Sequence, residues 1–224
     1  MCFSAAASFT AGVSLSVLGA ASIRKAESPH QYTFAALPLV FGVQQIAEGI
    51  VWVSLQNNGW SHITLPASMT FLLIAQIIWP ILMPYSFLQM EQDVRSKWIL
   101  KWFLLPGILV ASYFLYCLIS FDVKTEAINH HVFYKLDFPK VLIPYAAGFY
   151  LVATVIPPLL SRNIKIQLIG VVFLVAYIVS RLFFQPSLIS VWCFFAIIVS
   201  LFIYLVLRSS KTKSFVSVVP STNT

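Results

Sequence analysis

Seven stretches of this chain stay apolar for about as long as a helix needs to cross the core of a bilayer. They run Ala5–Ile23, Thr33–Leu55, Leu65–Phe87, Trp98–Ser120, Leu142–Leu160, Ile166–Phe184 and Leu188–Leu207. A hydrocarbon core of ~30 Å takes about 20 helical residues. Lipid offers no water to a backbone amide or carbonyl, so each stretch is expected to be α-helix. The residue-by-residue alternation of a membrane β-barrel is absent. Composition leads the same way: 9% of the residues are charged, against about 25% in an ordinary soluble domain. Too few charges remain to cover a soluble fold of 224 residues. This excludes a cytosolic enzyme, a disordered chain and a nucleic-acid binder, and makes the lipid bilayer the first partner. The expected fold is all-α: one polytopic seven-helix membrane domain over residues 1–207 and a disordered, basic, Ser/Thr-rich tail over 208–224.

Charge sets the expected orientation. Nothing basic precedes the first span, while Arg24 and Lys25 follow it, so it is not a cleavable signal peptide and its N-terminus points outward. With that end outside, ten basic residues fall inside (Arg24, Lys25, Arg95, Lys97, Lys101, Arg162, Lys165, Arg208, Lys211 and Lys213). Four fall outside (Lys124, Lys135, Lys140 and Arg181), partly offset by Asp122, Glu126 and Asp137. The net charge of +7 is therefore a matter of topology, N-out and C-in. Trp60 and Trp98 sit near span ends, as interfacial anchors do. Pro38 to Gly42 and Pro144 to Gly148 share a spacing, which is too little for an internal repeat.

The second span carries the strongest chemical signal. Gln44, Gln45, Glu48 and Trp52 recur at spacings that form one helical stripe. Glu48 is the only acidic residue within any of the seven spans. It lies roughly 10 Å below the outer boundary at 1.5 Å per residue. A charge near a helix centre costs about 2.5–3.5 kcal/mol on insertion scales, so the expectation is a ligand, ion or proton site; the bland alternative is a hydrogen-bond knot. Arg181, near the outer end of the sixth span, either snorkels to the surface or turns in to meet Glu48. The longest loop, residues 121–141, lies outside and carries Asn129, His130, His131 and Tyr134. It is expected to roof an outward-opening cavity. Small residues at Ser4, Ser8, Gly12, Ser16 and Ala20 form a face in the first span suited to close helix packing.

The three cysteines, Cys2, Cys117 and Cys193, all fall at the outer ends of spans and include no CxxC pair. Cys117 and Cys193 read as small apolar packing residues. Removal of Met1 would leave Cys2 with a free amine beside its thiol, a nucleophile with its own base. Glu48, Cys2 and the histidines are ligand types that zinc accepts, but their spacing makes no metal motif, and no metal site is assigned. His62 reads as interfacial, and His30 belongs to no constellation. The seventh span has no lysine for a retinal Schiff base, and there is no nucleotide loop, HExxH or GxSxG. The cofactor is unknown.

The start Met1-Cys2-Phe3-Ser4-Ala5, the segment Phe34–Leu39 and the segment Gly42–Glu48 together resemble an uncharacterised family, a domain of unknown function, of bacterial seven-helix membrane proteins. Its members look similar at the Cys-aromatic-Ser-Ala start and at a Gln-x-x-Glu, here Gln45 and Glu48. Some carry His where this chain has Gln44, which weighs against metal at the stripe. The resemblance is specific over about the first fifty residues. It implies seven helices, a bacterial cytoplasmic membrane and a role for Cys2 and Glu48, and it supplies no activity.

Two functions from different classes follow. The first is a binding or transport protein for a small polar ligand, cation or proton, with its site lined by Gln44, Gln45, Glu48, Trp52 and Arg181 and roofed by His131 and Tyr134. The second is an intramembrane enzyme on a lipid or thioester, with Cys2 as nucleophile, His130 or Glu48 as base and Arg181 as anion clamp. A third reading has the polar stripe merely fixing helix register in an assembly.

Overall fold

The computed structural model of the chain describes the backbone of residues 4–128, 131–183 and 196–218, and their side chains apart from Asn58 and residues 209–218. Helices α1 (Ala5–Ile23) and α2 (Pro29–Gln56) are followed by a 3-10 turn at Asn58–Ile63 and helix α3 (Thr64–Leu73). A π-turn at Ile74–Ile78 joins α3 to α4 (Trp79–Met90). Helices α5 (Val94–Trp102) and α6 (Leu104–Ser120) lead into a hairpin of β1 (Val123–Ile128) and β2 (His131–Leu136). Helices α7 (Ile143–Leu159), α8 (Ile164–Phe183) and α9 (Ala196–Val218) complete the described chain.

Among the described residues five helical runs are long and apolar enough to cross a membrane: Ala5–Ile23, Pro29–Gln56, Gly59–Met90, Val94–Ser120 and Ile164–Phe183. Ile143–Leu159 and Ala196–Arg208 are shorter apolar helices. Outward faces are apolar too, with Val17, Ile119 and Leu182 all exposed. Water would penalise such a surface and lipid does not. The chain is a helical membrane protein.

Proline explains the interruptions. Pro106 has no N–H for the Trp102 carbonyl and its ring crowds it; the helix breaks at Phe103, between α5 and α6. Pro80 does more. In the π-turn the Trp79 N–H reaches back to the Ile74 carbonyl, so it no longer serves Ala75. The donor that π-geometry would supply to Ala75 belongs to residue 80, a proline without an N–H. The Tyr150 hydroxyl of α7 fills the gap, donating to the Ala75 carbonyl at 2.6 Å. Pro84 likewise frees the carbonyl of Pro80, and Gly107 of α6 packs so tightly against that oxygen that no side chain would fit.

Helix α2 is the hub, packing against α1, α3, α4 and α9. The α1–α2 contact is the most extensive in the bundle and depends on glycine. A Cβ on Gly12 would lie 2.7 Å from Ile46 Cγ1, and one on Gly19 would lie 2.6 Å from the Leu39 backbone nitrogen. The buried stripe of α1 is Ser8, Gly12, Leu15, Gly19 and Ser22. The strict four-residue spacing expected from the sequence therefore drifts off the contact: Ser4 and Ser16 are half-buried and Ala20 is exposed. Alternating steps of four and three keep closer pace with 3.6 residues per turn.

Residues 121–128 and 131–141 are more ordered than a loop. Antiparallel pairing runs from Val123↔Leu136 to Ile128↔His131. The alternation of Val132 and Tyr134 with His131, Phe133 and Lys135 puts one face of β2 inward, and Val132 and Tyr134 are buried. The hairpin docks on α3, where Thr125 Oγ1 donates to Ser68 Oγ at 2.8 Å. At the chain's other end, α9 passes Leu207, where the tail was expected to begin, and continues to Val218. Arg208–Val218 holds neither proline nor glycine, so nothing in the backbone chemistry stops the helix there. Residues 188–195 of the expected seventh span lie outside the described residues.

Two apolar clusters fill the interior. One joins Phe34, Leu37 and Phe41 of α2 to Trp79, Met83 and Phe87 of α4 and to residues of α8 and α9. The other joins Ala47, Val51 and Trp52 of α2 to Phe71, Cys117, Val132 and Tyr134 under the hairpin. Cys117 is fully buried with a free thiol, in keeping with its reading as a packing residue.

The tight α1–α2 contact has a direct test. Gly19→Ala forces a backbone approach apart and should destabilise the bundle by about 1–3 kcal/mol. Gly148→Ala, in α7 with open space around its Cα, should be neutral or stabilising by up to about 1 kcal/mol. Thermal unfolding of the detergent-solubilised variants reads both, and a reversed order would count against this packing.

Candidate functional site: a polar layer beneath the hairpin

Between the two apolar clusters lies a layer of polar side chains. Along α2 it falls between Phe41 and Val51; along the π-turn it holds Gln76. Gln44 and Glu48 are 0% exposed and Gln45 is 1% exposed. The Gln45 amide donates from Nε2 to Glu48 Oε2 at 3.1 Å. The Trp79 indole donates to Gln44 Oε1 at 2.6 Å, and its ring stacks on Phe41 with centroids 3.9 Å apart. One helix thus presents a carboxylate with an amide bonded to it, and a second amide held in place by an indole from the facing helix. The amide donor favours the charged carboxylate, and a carboxylate out of water calls for an opposite charge or a proton to offset it.

Gln76 adds a further group. It is buried on the π-turn, which packs against α2, and among the described residues its Oε1 has no hydrogen-bond partner. An unmet buried amide oxygen costs about 1–3 kcal/mol, and native interiors contain few such groups. The Tyr150 bond to Ala75 holds this turn against α7.

The hairpin covers one side of the layer. Tyr134 stacks on Phe71 with centroids 4.9 Å apart and planes 11° from parallel. It belongs to the same apolar cluster as Trp52. Nothing in this arrangement leaves the stripe open: the expected outward-opening cavity is closed, since solvent reaches none of Gln44, Gln45 or Glu48.

The stripe read from the sequence is therefore brought together as one inward face of α2, with Trp52 at its hairpin end. Tyr134 joins it from above. His131, half-buried, lies on the strand face opposite Tyr134. Arg181 does not join. It is exposed on the last turn of α8, and an ion pair joins Arg162 to Asp93 at the other end of the bundle. A long side chain near a helix end reaches the surface more cheaply than it desolvates. Cys2, His130 and Cys193 lie outside the described residues. Trp79, Gln76 and Tyr150 were not anticipated. The signal for the first two was a lone glutamine and a Trp-Pro pair in the third apolar run; nothing in the sequence marks Tyr150. Among the described residues no three His, Cys, Asp or Glu side chains come together.

The family of unknown function DUF6629 matches residues 1–217. The chain belongs to this family. No curated protein and no solved structure matches it significantly. The match covers α1 to α9 and the hairpin, so the polar layer of this DUF6629 member sits inside the family region and not on an appended segment.

The Gln44–Trp79 bond predicts coupled variants. Trp79→Phe and Gln44→Leu should each destabilise the protein. The double variant should cost less than their sum by about 0.5–3 kcal/mol, the range for residues in contact. Thermal unfolding in detergent measures it, and strict additivity would show that the bond contributes nothing.

Proposed function

We propose that this chain is a seven-helix protein of a bacterial cytoplasmic membrane that binds a cation, a proton or a small polar ligand at Glu48 and passes it through the bundle. The carrying observation is a carboxylate with 0% exposure, set with two oriented glutamines at the junction of two apolar clusters. Such a group is costly in a membrane helix and by default marks an ion or substrate pathway. Seven crossings correspond to the five long apolar runs plus Ile143–Leu159 and Ala196–Arg208. The N-out, C-in orientation rests on the ten-to-four split of basic residues between the two ends.

In this reading Glu48 carries the charge that meets the cation or proton. Gln45 holds one carboxylate oxygen in place, and Gln44, fixed by Trp79, presents its amide edge to a polar ligand. Gln76 supplies an acceptor from the facing π-turn. Exchange with the outer side requires the hairpin to move, because Tyr134 and Val132 pack over Trp52 and Val51. The enzyme reading keeps Glu48 as a base but loses its anion clamp, since Arg181 is exposed.

Purified protein in proteoliposomes, assayed for proton and monovalent-cation flux with pH- and ion-sensitive dyes, tests the proposal. Glu48→Gln, isosteric and uncharged, should lower flux about tenfold or more, equivalent to about 1.4 kcal/mol in rate, while unfolding within a few degrees of the parent. Unfolding of Glu48→Gln with flux intact in the folded fraction would make the stripe a structural knot. A reporter enzyme fused after Thr224 should be active only in the cytoplasm; periplasmic activity would invert the orientation.

A further inference from the structure

The opposite end of the bundle holds a second candidate site, unconnected with Glu48. A cavity of about 600 Å³ opens where three turns meet: α1–α2, α4–α5 and α7–α8. That volume falls within the usual range for small-molecule pockets, about 300–1,000 Å³. His30, which belongs to no constellation in the sequence, lines it and bonds through Nδ1 to Gln89 Oε1 at 3.1 Å.

The chemistry of the lining is one-sided. Gln31 Oε1 accepts the Glu27 N–H at 2.8 Å, and Asn163 Oδ1 accepts the Lys165 N–H at 3.0 Å. A backbone N–H can only donate, so in both side chains the oxygen is the atom committed to the backbone and the NH₂ is left for the cavity. Gln89 spends its oxygen on His30. The one acidic side chain in the lining, Glu91, is turned onto the chain: its Oε1 accepts the N–H groups of Gln92 and Asp93. Ser161 accepts the Asn163 N–H at 3.3 Å, leaving its own hydroxyl proton to donate. Lys97 and Arg162 supply two positive charges.

Arg162 is partly engaged, since its Nη2 lies 3.5 Å from Asp93 Oδ2. That carboxylate is already the cap of α5, taking the Ser96 N–H and hydroxyl. These bonds, with Arg162 and Arg95 nearby, hold its pKa below the usual carboxylate range. It therefore stays charged through mild acid and steadies one edge of the guanidinium, leaving the remaining N–H donors of the fork free for a second anion. The starts of α2 and α8 also line the cavity, and their dipoles add to the positive potential.

We propose that this cavity binds a phosphate group, held by Lys97, Arg162 and the outward NH₂ groups of Gln31 and Asn163. A phosphate in this cavity belongs either to the headgroup of an anionic phospholipid or to a soluble phosphate compound, and the shared chemistry is an oxyanion met by two positive charges and amide donors.

Two isosteric variants separate the proposal from packing. Asn163→Asp and Gln31→Glu each keep the oxygen that accepts the backbone N–H and replace the cavity-facing NH₂ with a carboxylate oxygen. Delipidated full-length protein in detergent is titrated with phosphatidylglycerol, with phosphatidylcholine and with inorganic phosphate, followed by native mass spectrometry and calorimetry. The parent should bind phosphatidylglycerol or inorganic phosphate, and each variant, like Lys97→Gln, should weaken that binding about tenfold or more without lowering the unfolding temperature. Retention of phosphatidylglycerol alone identifies a lipid headgroup; competition by inorganic phosphate identifies a soluble ligand. Failure of the parent to bind either, equal binding of phosphatidylcholine, or variants that bind as the parent does would overturn it.

Discussion

A carbonyl that loses its amide inside a membrane must find another donor in the protein, because lipid supplies none. Pro80 creates such a carbonyl at Ala75, and the Tyr150 hydroxyl answers it at 2.6 Å. The π-turn that this bond helps hold places Gln76 at the level of the polar stripe of α2 and starts α4 at Trp79, in reach of Gln44. Without that local rearrangement the facing helix would present a different set of residues to Glu48. The close α1–α2 seam works from the other side, its glycines drawing the hub helix against α1 and turning its polar stripe inward.

The polar layer and the donor-lined cavity share a logic although they lie at opposite ends. In each, amide side chains have one atom fixed by a neighbour, so the other atom is oriented before any ligand arrives. At Glu48 the Gln45 amide steadies a carboxylate, and the negative charge of that carboxylate is what the proposed cation or proton would meet. At the basic end the fixed amides turn donors to the cavity beside Lys97 and Arg162 and favour an anion. Pre-set dipoles lose little entropy on binding, which is where much of the cost of recognition lies.

Much of this architecture is legible in the sequence, because lipid makes length and apolarity nearly sufficient to define a helix. The bounds of α1 and the end of α2 follow from the length of the apolar runs, and the inward stripe from Gln44 to Trp52 follows from spacing; α2 starts earlier than expected, at Pro29. The hairpin was missed because its alternation is short and sits among charges, where a solvated loop reads equally well. The drift of the α1 face was missed because a spacing of four looks regular on paper while the real helix turns every 3.6 residues. Trp79, Tyr150 and the role of His30 depend on which helices end up facing each other, and one sequence does not encode that in any local pattern. Arg181 shows the converse: a plausible partner by depth lies on the exposed face.

The central claim is that Glu48 is a binding group and not a packing group. Infrared difference spectroscopy of the reconstituted protein observes its carboxyl directly, with Glu48→Gln identifying the band. If the account is right, that band shifts or changes protonation when pH is stepped or when the bound cation is added. A Glu48 band indifferent to pH, to cations and to polar solutes alike would contradict it.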